Sequence, residues 1–176
     1  DLFTNLDIDA QKSAAKFLGN RKGAVVAIDL DTGGINVLYS SPAYSINKLS
    51  NGMSENEFKT LINDPDKPFF NRALQGRYPP ASTIKPAIGI YGLSNNIVNW
   101  NFEMKDPGFF TLPETGRIFR GWRKGGHGKV NMHKAFLVSS NTYFFSLAYQ
   151  ADITELSNHL SSLGFGRKVC LDCFDE

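Results

Sequence analysis

The chain has 176 residues, of which 41% are hydrophobic and 20% are charged, with 19 Lys and Arg against 17 Asp and Glu. This size suits one domain with a sizeable core, so we predict a single domain over residues 1–176. The net charge of +2 excludes a strongly basic nucleic-acid binder, two cysteines exclude a disulfide framework, and no apolar run reaches the roughly 18 residues of a membrane span.

The first half of the chain predicts one helix, a β-hairpin and a polar stretch. Residues 11–18 favour a short helix, and residues 24–29 and 35–40 favour two strands. Asp31-Thr-Gly-Gly between the strands favours a tight turn, because glycine accepts positive φ. Residues 41–70 are polar and contain prolines, with one helix expected over residues 55–62.

The second half predicts mainly helices. Residues 82–93 carry almost no charge apart from one lysine, which favours a helix inside the domain. Residues 99–130 are expected to be irregular, whereas residues 131–150 are helical in composition with a break near residues 139–141. Asp152 should begin a last helix that Gly164 ends. A hairpin followed by helices predicts an α+β fold.

The most informative local pattern is Ser82-Thr-Ile-Lys85, which follows Pro79 and Pro80. An i, i+3 spacing places both side chains on one face of a helix. Burial and the positive end of the helix dipole both disfavour a lysine cation, so we expect a lowered pKa for Lys85. A neutral amine can take the serine proton, and backbone N–H groups at the helix end can hold an oxyanion. So short a pattern also arises by chance, as a serine cap followed by a solvated lysine.

A second polar group, Ser139-Ser140-Asn141, separates two apolar helical stretches. Three polar side chains in such a place are costly unless they are hydrogen-bonded. Alone, the group is more typical of a helix break whose side chains bond to the backbone. The two patterns in this order are far more specific, because they match the first two of three motifs shared by penicillin-binding proteins and class A β-lactamases.

The chain resembles the transpeptidase domain of class B penicillin-binding proteins, and among them the elongation-type penicillin-binding protein 2 branch. The resemblance covers nearly the whole chain: the domain opening at residues 6–11, the hairpin at 23–33 and the nucleophile segment at 71–86. In that segment Ala81 stands where glycine is more usual. Residues 106–130 resemble an insert of this branch rather than of the division-type branch.

The resemblance implies an α+β transpeptidase fold, an antiparallel sheet flanked by helices. It also implies that Ser82 is the acylated nucleophile and Lys85 its general base, that Ser139 relays a proton to the leaving amine, and that Asn141 binds the substrate amide. The substrate would be the D-alanyl-D-alanine stem peptide of peptidoglycan, and β-lactams would acylate the same serine. Membrane proteins of the elongation complex are the other expected partners; no cofactor and no nucleic acid are expected.

One family motif, Lys-Thr/Ser-Gly, does not occur in this sequence, since Lys59-Thr60 is followed by Leu61 and precedes Ser82. We therefore expect the chain to be the N-terminal part of a transpeptidase domain without its C-terminal strands, and acylation by this chain alone to be impaired. The expected location is periplasmic, with the intact protein attached to the bacterial inner membrane by a segment outside this chain.

Two other functions share these patterns. A catalytically incomplete module that binds cell-wall peptide or a protein partner without turnover is the main alternative, and the missing motif favours it. A β-lactamase has the same first two motifs. The insert and the lack of an evident deacylating glutamate speak against it.

Three further patterns have simpler interpretations. Asp31-Thr-Gly33 matches one aspartic protease triplet, but such a protease needs two, so a hairpin turn is the better interpretation. Cys170 and Cys173 are expected to be two thiols or a local disulfide, because metal binding would need further ligands. A basic, aromatic stretch is expected to be a solvated loop with aromatic anchors rather than a nucleic-acid surface; it contains Arg117, Phe119, Arg120, Trp122, Arg123, Lys124 and Lys129.

Asp106 and His127 match two of four positions at which some members of the branch bind a divalent metal. The other two positions carry Gly121 and Ser140 in this sequence, where the metal-binding members have Asp and Cys. Because two of the four ligands are missing, no metal is predicted.

Overall fold

The structure is a computed structural model that describes residues 3–167. These residues fall into two compact units that meet in the sequence between Tyr78 and Pro79. Each unit combines helices with two-stranded antiparallel sheets, which confirms the predicted α+β class. The expectation of one domain over residues 1–176 stays a prediction. Within residues 3–167, no helix combines the length and apolarity that crossing a bilayer requires.

The first unit is built on the predicted hairpin. Its elements are α1 (Ile8–Leu18), β1 (Gly23–Ile28), β2 (Ile35–Ser41), α2 (Ile46–Ser50) and α3 (Glu55–Ile62). Strands β1 and β2 pair antiparallel, with Val26 opposite Leu38. Helix α1 begins three residues before its predicted start, because the Asp7 carboxylate caps the N–H groups of Asp9 and Ala10. Helix α3 has its predicted bounds, whereas the short helix α2 was not predicted.

The Asp-Thr-Gly sequence lies in the turn of this hairpin. Asp29 Oδ1 accepts hydrogen bonds from the N–H groups of Asp31 and Thr32, both at 2.9 Å. Gly33 has a φ of +73°, a value that glycine adopts without strain. The predicted turn is confirmed, and the triplet needs no catalytic explanation.

The second unit begins with a 3₁₀ turn at Ala81–Ile84. Its other elements are α4 (Lys85–Ser94), β3 (Met104–Asp106), β4 (Phe109–Thr111), β5 (Ile118–Arg120), β6 (Gly128–Val130), α5 (Met132–Leu137), α6 (Asn141–Gln150) and α7 (Ile153–Ser162). Strand β3 pairs with β6, and β4 pairs with β5, both antiparallel. The expectation that residues 99–130 are irregular was therefore wrong. Strands of three residues are too short to show the alternation that identifies a strand in sequence.

A buried apolar cluster joins the helices of the second unit. It contains Val98, Val130, Met132, Ala135, Tyr143, Phe144 and Leu147. Helix α4 packs against this cluster through Ile88 and through Gly92, where a Cβ would lie 2.7 Å from Leu147 Cδ1, and Tyr91 packs against His159 of α7. The opposite face of α4 is open, since Ile90 is 53% exposed. Half of the helix residues are buried and one side is exposed, so the expectation of a helix inside the domain holds only in part.

The basic stretch, residues 117–129, covers β5, the loop after it and the first part of β6. The Arg117 guanidinium lies 5.0 Å from the centre of the Phe119 ring, and Phe119 packs against Phe145 of α6. This arrangement supports the interpretation of a solvated loop with aromatic anchors. Cys170 and Cys173 lie outside the described residues.

Candidate active site

The first motif lies where the 3₁₀ turn runs into α4. Ser82 is in the turn and Lys85 is the first residue of the helix, so Ser82 does not begin the α-helix as the sequence suggested. Side chains three residues apart eclipse in 3₁₀ geometry, which keeps the two on one face. Ala81 has a φ of +49°, a left-handed conformation that is strained for a residue with a Cβ.

The second motif is the junction between α5 and α6. Ser139 has a φ of +51°, which turns the chain sharply between the helices. The N–H groups of Ser139 and Ser140 donate to the carbonyls of Phe136 and Ala135 at 3.1 and 2.8 Å. Ser140 is the N-cap of α6, and its Oγ accepts from the N–H of Tyr143 at 3.2 Å. The expected helix break is confirmed.

The fold brings the two motifs into direct contact. Lys85 Nζ donates to the carbonyl oxygen of Ser139 at 2.9 Å, to Ser139 Oγ at 3.0 Å and to Asn141 Oδ1 at 2.7 Å. Ser139 Oγ in turn donates to Ser82 Oγ at 3.0 Å. All four predicted site residues therefore form one hydrogen-bonded chain. Among the hydrogen bonds of residues 3–167, Lys85 reaches Ser82 through Ser139 and not directly.

The Lys85 amine and the Ser82 hydroxyl have contrasting environments. Lys85 is only 7% exposed, and burial lowers its pKa from the ordinary 10.5. Its Nζ lies 5.4 Å from the centre of the Phe144 ring. Ser82 is exposed and lines an open cavity of about 320 Å³ whose other walls include Ile88 and Phe145. The Lys85 amine is thus largely shielded from water, whereas the Ser82 hydroxyl faces the cavity.

The Ser82 N–H is available for a further role. In the part of the chain that the structure describes, no hydrogen bond uses it. It lies at the start of the turn, where unpaired N–H groups favour negative charge. An oxyanion formed beside Ser82 Oγ would find this donor already in place.

A buried polar cluster supports the second motif from behind. Asp106 of β3 is 2% exposed; its Oδ2 accepts from Ser140 Oγ at 2.7 Å and lies 2.8 Å from His127 Nδ1. Its Oδ1 accepts from the N–H of Gly108 at 2.8 Å. Burial by itself would raise the pKa of Asp106, but the hydrogen bonds from Ser140, His127 and Gly108 outweigh it and lower this pKa to about 2.

This cluster does not fit the four-ligand metal site that the resemblance suggested. Zinc bonds of about 2.0–2.1 Å in a tetrahedral site hold nitrogen and oxygen ligands roughly 3.3 Å apart. Here Asp106 Oδ2 lies only 2.7 Å from Ser140 Oγ and 2.8 Å from His127 Nδ1, and both are ordinary hydrogen-bond distances. Gly121 offers no side chain, and within residues 3–167 no group of three His, Cys, Asp or Glu residues is placed to hold a metal ion. The prediction of no metal rests on the residues present and stays a prediction.

Comparison with known proteins gives a consistent family. Residues 23–176 match the family described as "Penicillin binding protein transpeptidase domain". Peptidoglycan D,D-transpeptidase MrdA of Acinetobacter baumannii is 44% identical over 176 residues, which cover 100% of this chain and 26% of that protein. The chain spans about a quarter of the length of the curated relatives that it matches, 26% of this one and 28% of the Escherichia coli protein of the same name.

Solved structures agree with these relatives. The crystal structure of Pseudomonas aeruginosa PBP2 in complex with WCK 5153 matches with a TM-score of 0.90 and 38% identity, over 98% of this chain and 38% of that one. The complex between PBP2 and MreC from Helicobacter pylori matches with a TM-score of 0.85 and 34% identity, over 93% of this chain and 30% of that one. The resemblance to penicillin-binding proteins of the PBP2 branch is therefore confirmed, and the chain belongs to the penicillin-binding protein transpeptidase domain family.

Proposed function

We propose that this chain carries the nucleophile and base of a peptidoglycan D,D-transpeptidase, which acts on D-alanyl-D-alanine stem peptides through an acyl-Ser82 intermediate. The single observation that carries the proposal is the hydrogen-bonded chain from Ser82 through Ser139 to the buried Lys85. A nucleophile, a relay and a shielded base in sequence are what serine acyl transfer requires. The names of the relatives as D,D-transpeptidases support the same function.

Acylation would begin with a proton transfer along this chain. The Ser82 hydroxyl gives its proton to Ser139 Oγ, whose own proton passes to the neutral Lys85 Nζ. A hydroxyl can rotate its hydrogen, so the 3.0 Å pair of Ser139 and Ser82 can be used in either direction. Ser82 Oγ then bonds to the carbonyl carbon of the penultimate D-alanine, and the Ser82 N–H donates to the oxyanion.

The same residues would complete the reaction. The bond from that carbonyl carbon to the terminal D-alanine nitrogen breaks, and the nitrogen takes the proton of Lys85 through Ser139. An acceptor amine then attacks the ester carbon and gives its proton through Ser139 to Lys85. The ester C–O bond breaks as the cross-link forms, and Lys85 passes the proton back through Ser139 to Ser82 Oγ, which restores the hydroxyl and the neutral amine. In a β-lactam the broken C–N bond belongs to the ring, so the leaving nitrogen stays attached to the acyl group.

Binding of the stem peptide is assigned to Asn141 and the cavity beside Ser82. The Asn141 side chain presents its carbonyl oxygen to Lys85 at 2.7 Å, which leaves its amide N–H groups for a peptide carbonyl. Partners beyond the cell-wall peptide are membrane proteins of the elongation complex, since a PBP2 of the same branch has been solved as a complex with MreC. A periplasmic location, with the intact protein attached to the inner membrane, follows from this proposal.

Release of D-alanine tests the proposal. The complete protein that carries this chain is incubated with a D-alanyl-D-alanine stem peptide and an acceptor amine. We expect one free D-alanine for each cross-linked product, with both products lost in Ser82→Ala and Lys85→Met. As a matched control, Ser94→Ala at the far end of α4 should retain turnover. Binding of the peptide without release of D-alanine by the folded wild-type protein would instead establish the non-catalytic module.

A further inference from the structure

We infer that Asp106 is a positioning residue for the acylation machinery: through a hydrogen bond to Ser140, and without a metal ion, it holds Ser139 and Asn141 against Lys85. The inference rests on the proposed function, because it concerns the rate at which Ser82 is acylated. Asp106 itself lies behind the second motif and makes no contact with Ser82, Ser139 or Lys85 among the hydrogen bonds of residues 3–167.

Ser140 links Asp106 to the residues that contact Lys85. It is the residue between Ser139 and Asn141, and these are the two residues whose side chains contact Lys85. Its own side chain is fully buried, with 0% exposure, and points away from Lys85 toward Asp106 Oδ2 at 2.7 Å. Any shift of Ser140 therefore moves both neighbours relative to Lys85.

The backbone at Ser139 is strained, so its conformation depends on the contacts around it. Ser139 holds a φ of +51°, a conformation that costs energy for a residue with a side chain and persists only where its surroundings fix it. Ser140 Oγ uses both of its functions, since it donates to Asp106 and accepts from the N–H of Tyr143 in α6. Ser140 thus connects the strained turn by hydrogen bonds to Asp106 in β3 and to the first turn of α6.

Asp106 is well suited to this role because it is itself fixed from three sides. The N–H of Gly108 donates to its Oδ1, and His127 Nδ1 and Ser140 Oγ share its Oδ2. The His127 side chain is 5% exposed, and Lys134 Nζ holds the His127 carbonyl at 3.0 Å. A charged acceptor with three donors makes stronger hydrogen bonds than a neutral one, so replacing the charge alone should loosen the turn.

The test measures acylation of Ser82 by a fluorescent penicillin in the complete protein, at several concentrations, to separate the limiting acylation rate from the noncovalent Kd. We expect the limiting rate to fall about tenfold or more in Asp106→Asn and in Ser140→Ala, with a Kd within about twofold of the wild type. The double variant should be no slower than the slower single variant, because both changes break one link. Independent, multiplied effects of the two substitutions would overturn the inference.

A matched control separates positioning from general loss of stability. Asp152→Ala removes another carboxylate cap in the same unit, one that accepts from the N–H groups of Thr154 and Glu155 and touches neither motif. Its unfolding midpoint should fall while its limiting acylation rate stays at the wild-type value. If Asp106→Asn does not fold, a folded Ser140→Ala with the wild-type rate overturns the inference.

Two further outcomes keep this inference distinct from the proposed function. A wild-type protein that is not acylated at Ser82 contradicts the proposed function itself, whereas acylation of Asp106→Asn at the wild-type rate contradicts only the positioning role. Dialysis against a chelator should leave the wild-type rate unchanged. A rate lost to the chelator and restored by zinc alone would overturn the claim that Asp106 acts without a metal.

Discussion

Replacing Asn141 with aspartate should move the pH dependence of Ser82 acylation to higher pH. Asn141 Oδ1 accepts from Lys85 Nζ at 2.7 Å, so the substitution places a carboxylate at that distance from the proposed base. Asn141 is the first residue of α6, where an acidic side chain is well tolerated, and Ser140 remains the cap. The substitution therefore changes the charge beside Lys85 and little else in the fold.

The size of the effect follows from the distance between the two groups. Two opposite unit charges 2.7 Å apart attract by about 1.5 kcal/mol at the dielectric constant of water and by about 6 kcal/mol at an effective value of 20. The cost of burying a second charge opposes the larger figure. Even the smaller figure makes the Lys85 amine bind its proton about tenfold more tightly, because tenfold corresponds to about 1.36 kcal/mol.

The direction of the pH shift follows from the proposed role of Lys85 as the base. Below its pKa the lysine is an ammonium ion that cannot accept the Ser82 proton, so the acylation rate rises with pH through that pKa. A nearby carboxylate favours the ammonium ion and raises the pKa of Lys85. At a pH below both pKa values the variant should therefore be acylated at least tenfold more slowly, and its rate should recover at higher pH.

Stopped-flow acylation by a fluorescent penicillin across a pH series measures this shift. Asn141→Ala is the matched control, because it removes the same hydrogen-bond acceptor without adding a charge. Its profile should not move to higher pH, although its rate can fall through loss of the amide. A profile for Asn141→Asp that keeps the wild-type midpoint, or moves to lower pH, would refute the assignment of Lys85 as the base.

Four other predictions follow from the structure. Because burial lowers the pKa of Lys85, the wild-type acylation rate should level off at a pH below 10.5, and a rise that continues past it would contradict this. Ala81→Gly should leave the free energy of unfolding unchanged or raise it by up to about 1 kcal/mol, because relief of the left-handed strain at φ +49° offsets or exceeds the entropy that glycine adds to the unfolded chain. A clear loss of stability in chemical unfolding would show that Ala81 is not strained. Gly92→Ala should cost about 1–3 kcal/mol, because its Cβ would lie 2.7 Å from the buried Leu147; a wild-type midpoint would disprove that contact. Met132→Ala, at 0% exposure, should cost about 2–5 kcal/mol by thermal unfolding, and a loss below 1 kcal/mol would remove Met132 from the core.

The sequence predicted the parts of the site that local patterns encode. Ser82 and Lys85 are three residues apart, and Ser139 and Asn141 are two apart, so each pair is visible as a short polar pattern beside apolar helices. Their meeting across more than 50 residues came from the family resemblance and not from periodicity. The resemblance gave Ser139 a proton relay to the leaving amine, but it did not predict that Ser139 Oγ also links Lys85 to Ser82, because this depends on where the α5–α6 junction places one hydroxyl.

The hydrogen bond between Asp106 and Ser140 could not be predicted from the sequence. Asp106 and Ser140 are 34 residues apart and belong to a short strand and a helix cap, neither of which gives a clear pattern. The resemblance singled out Asp106 and His127 as remnants of a metal site, and this was the available signal. It did not reveal that a serine hydroxyl in the place of a ligand closes the cluster with hydrogen bonds.

Mass spectrometry of the penicillin-treated complete protein tests the central claim most directly. We predict a mass increase equal to one intact penicillin, since the ring opens without losing an atom, and peptide mapping that places it on Ser82. The adduct should be absent from Ser82→Ala and should form slowly in Lys85→Met. An adduct on any other residue, or one that persists in Ser82→Ala, would contradict the account.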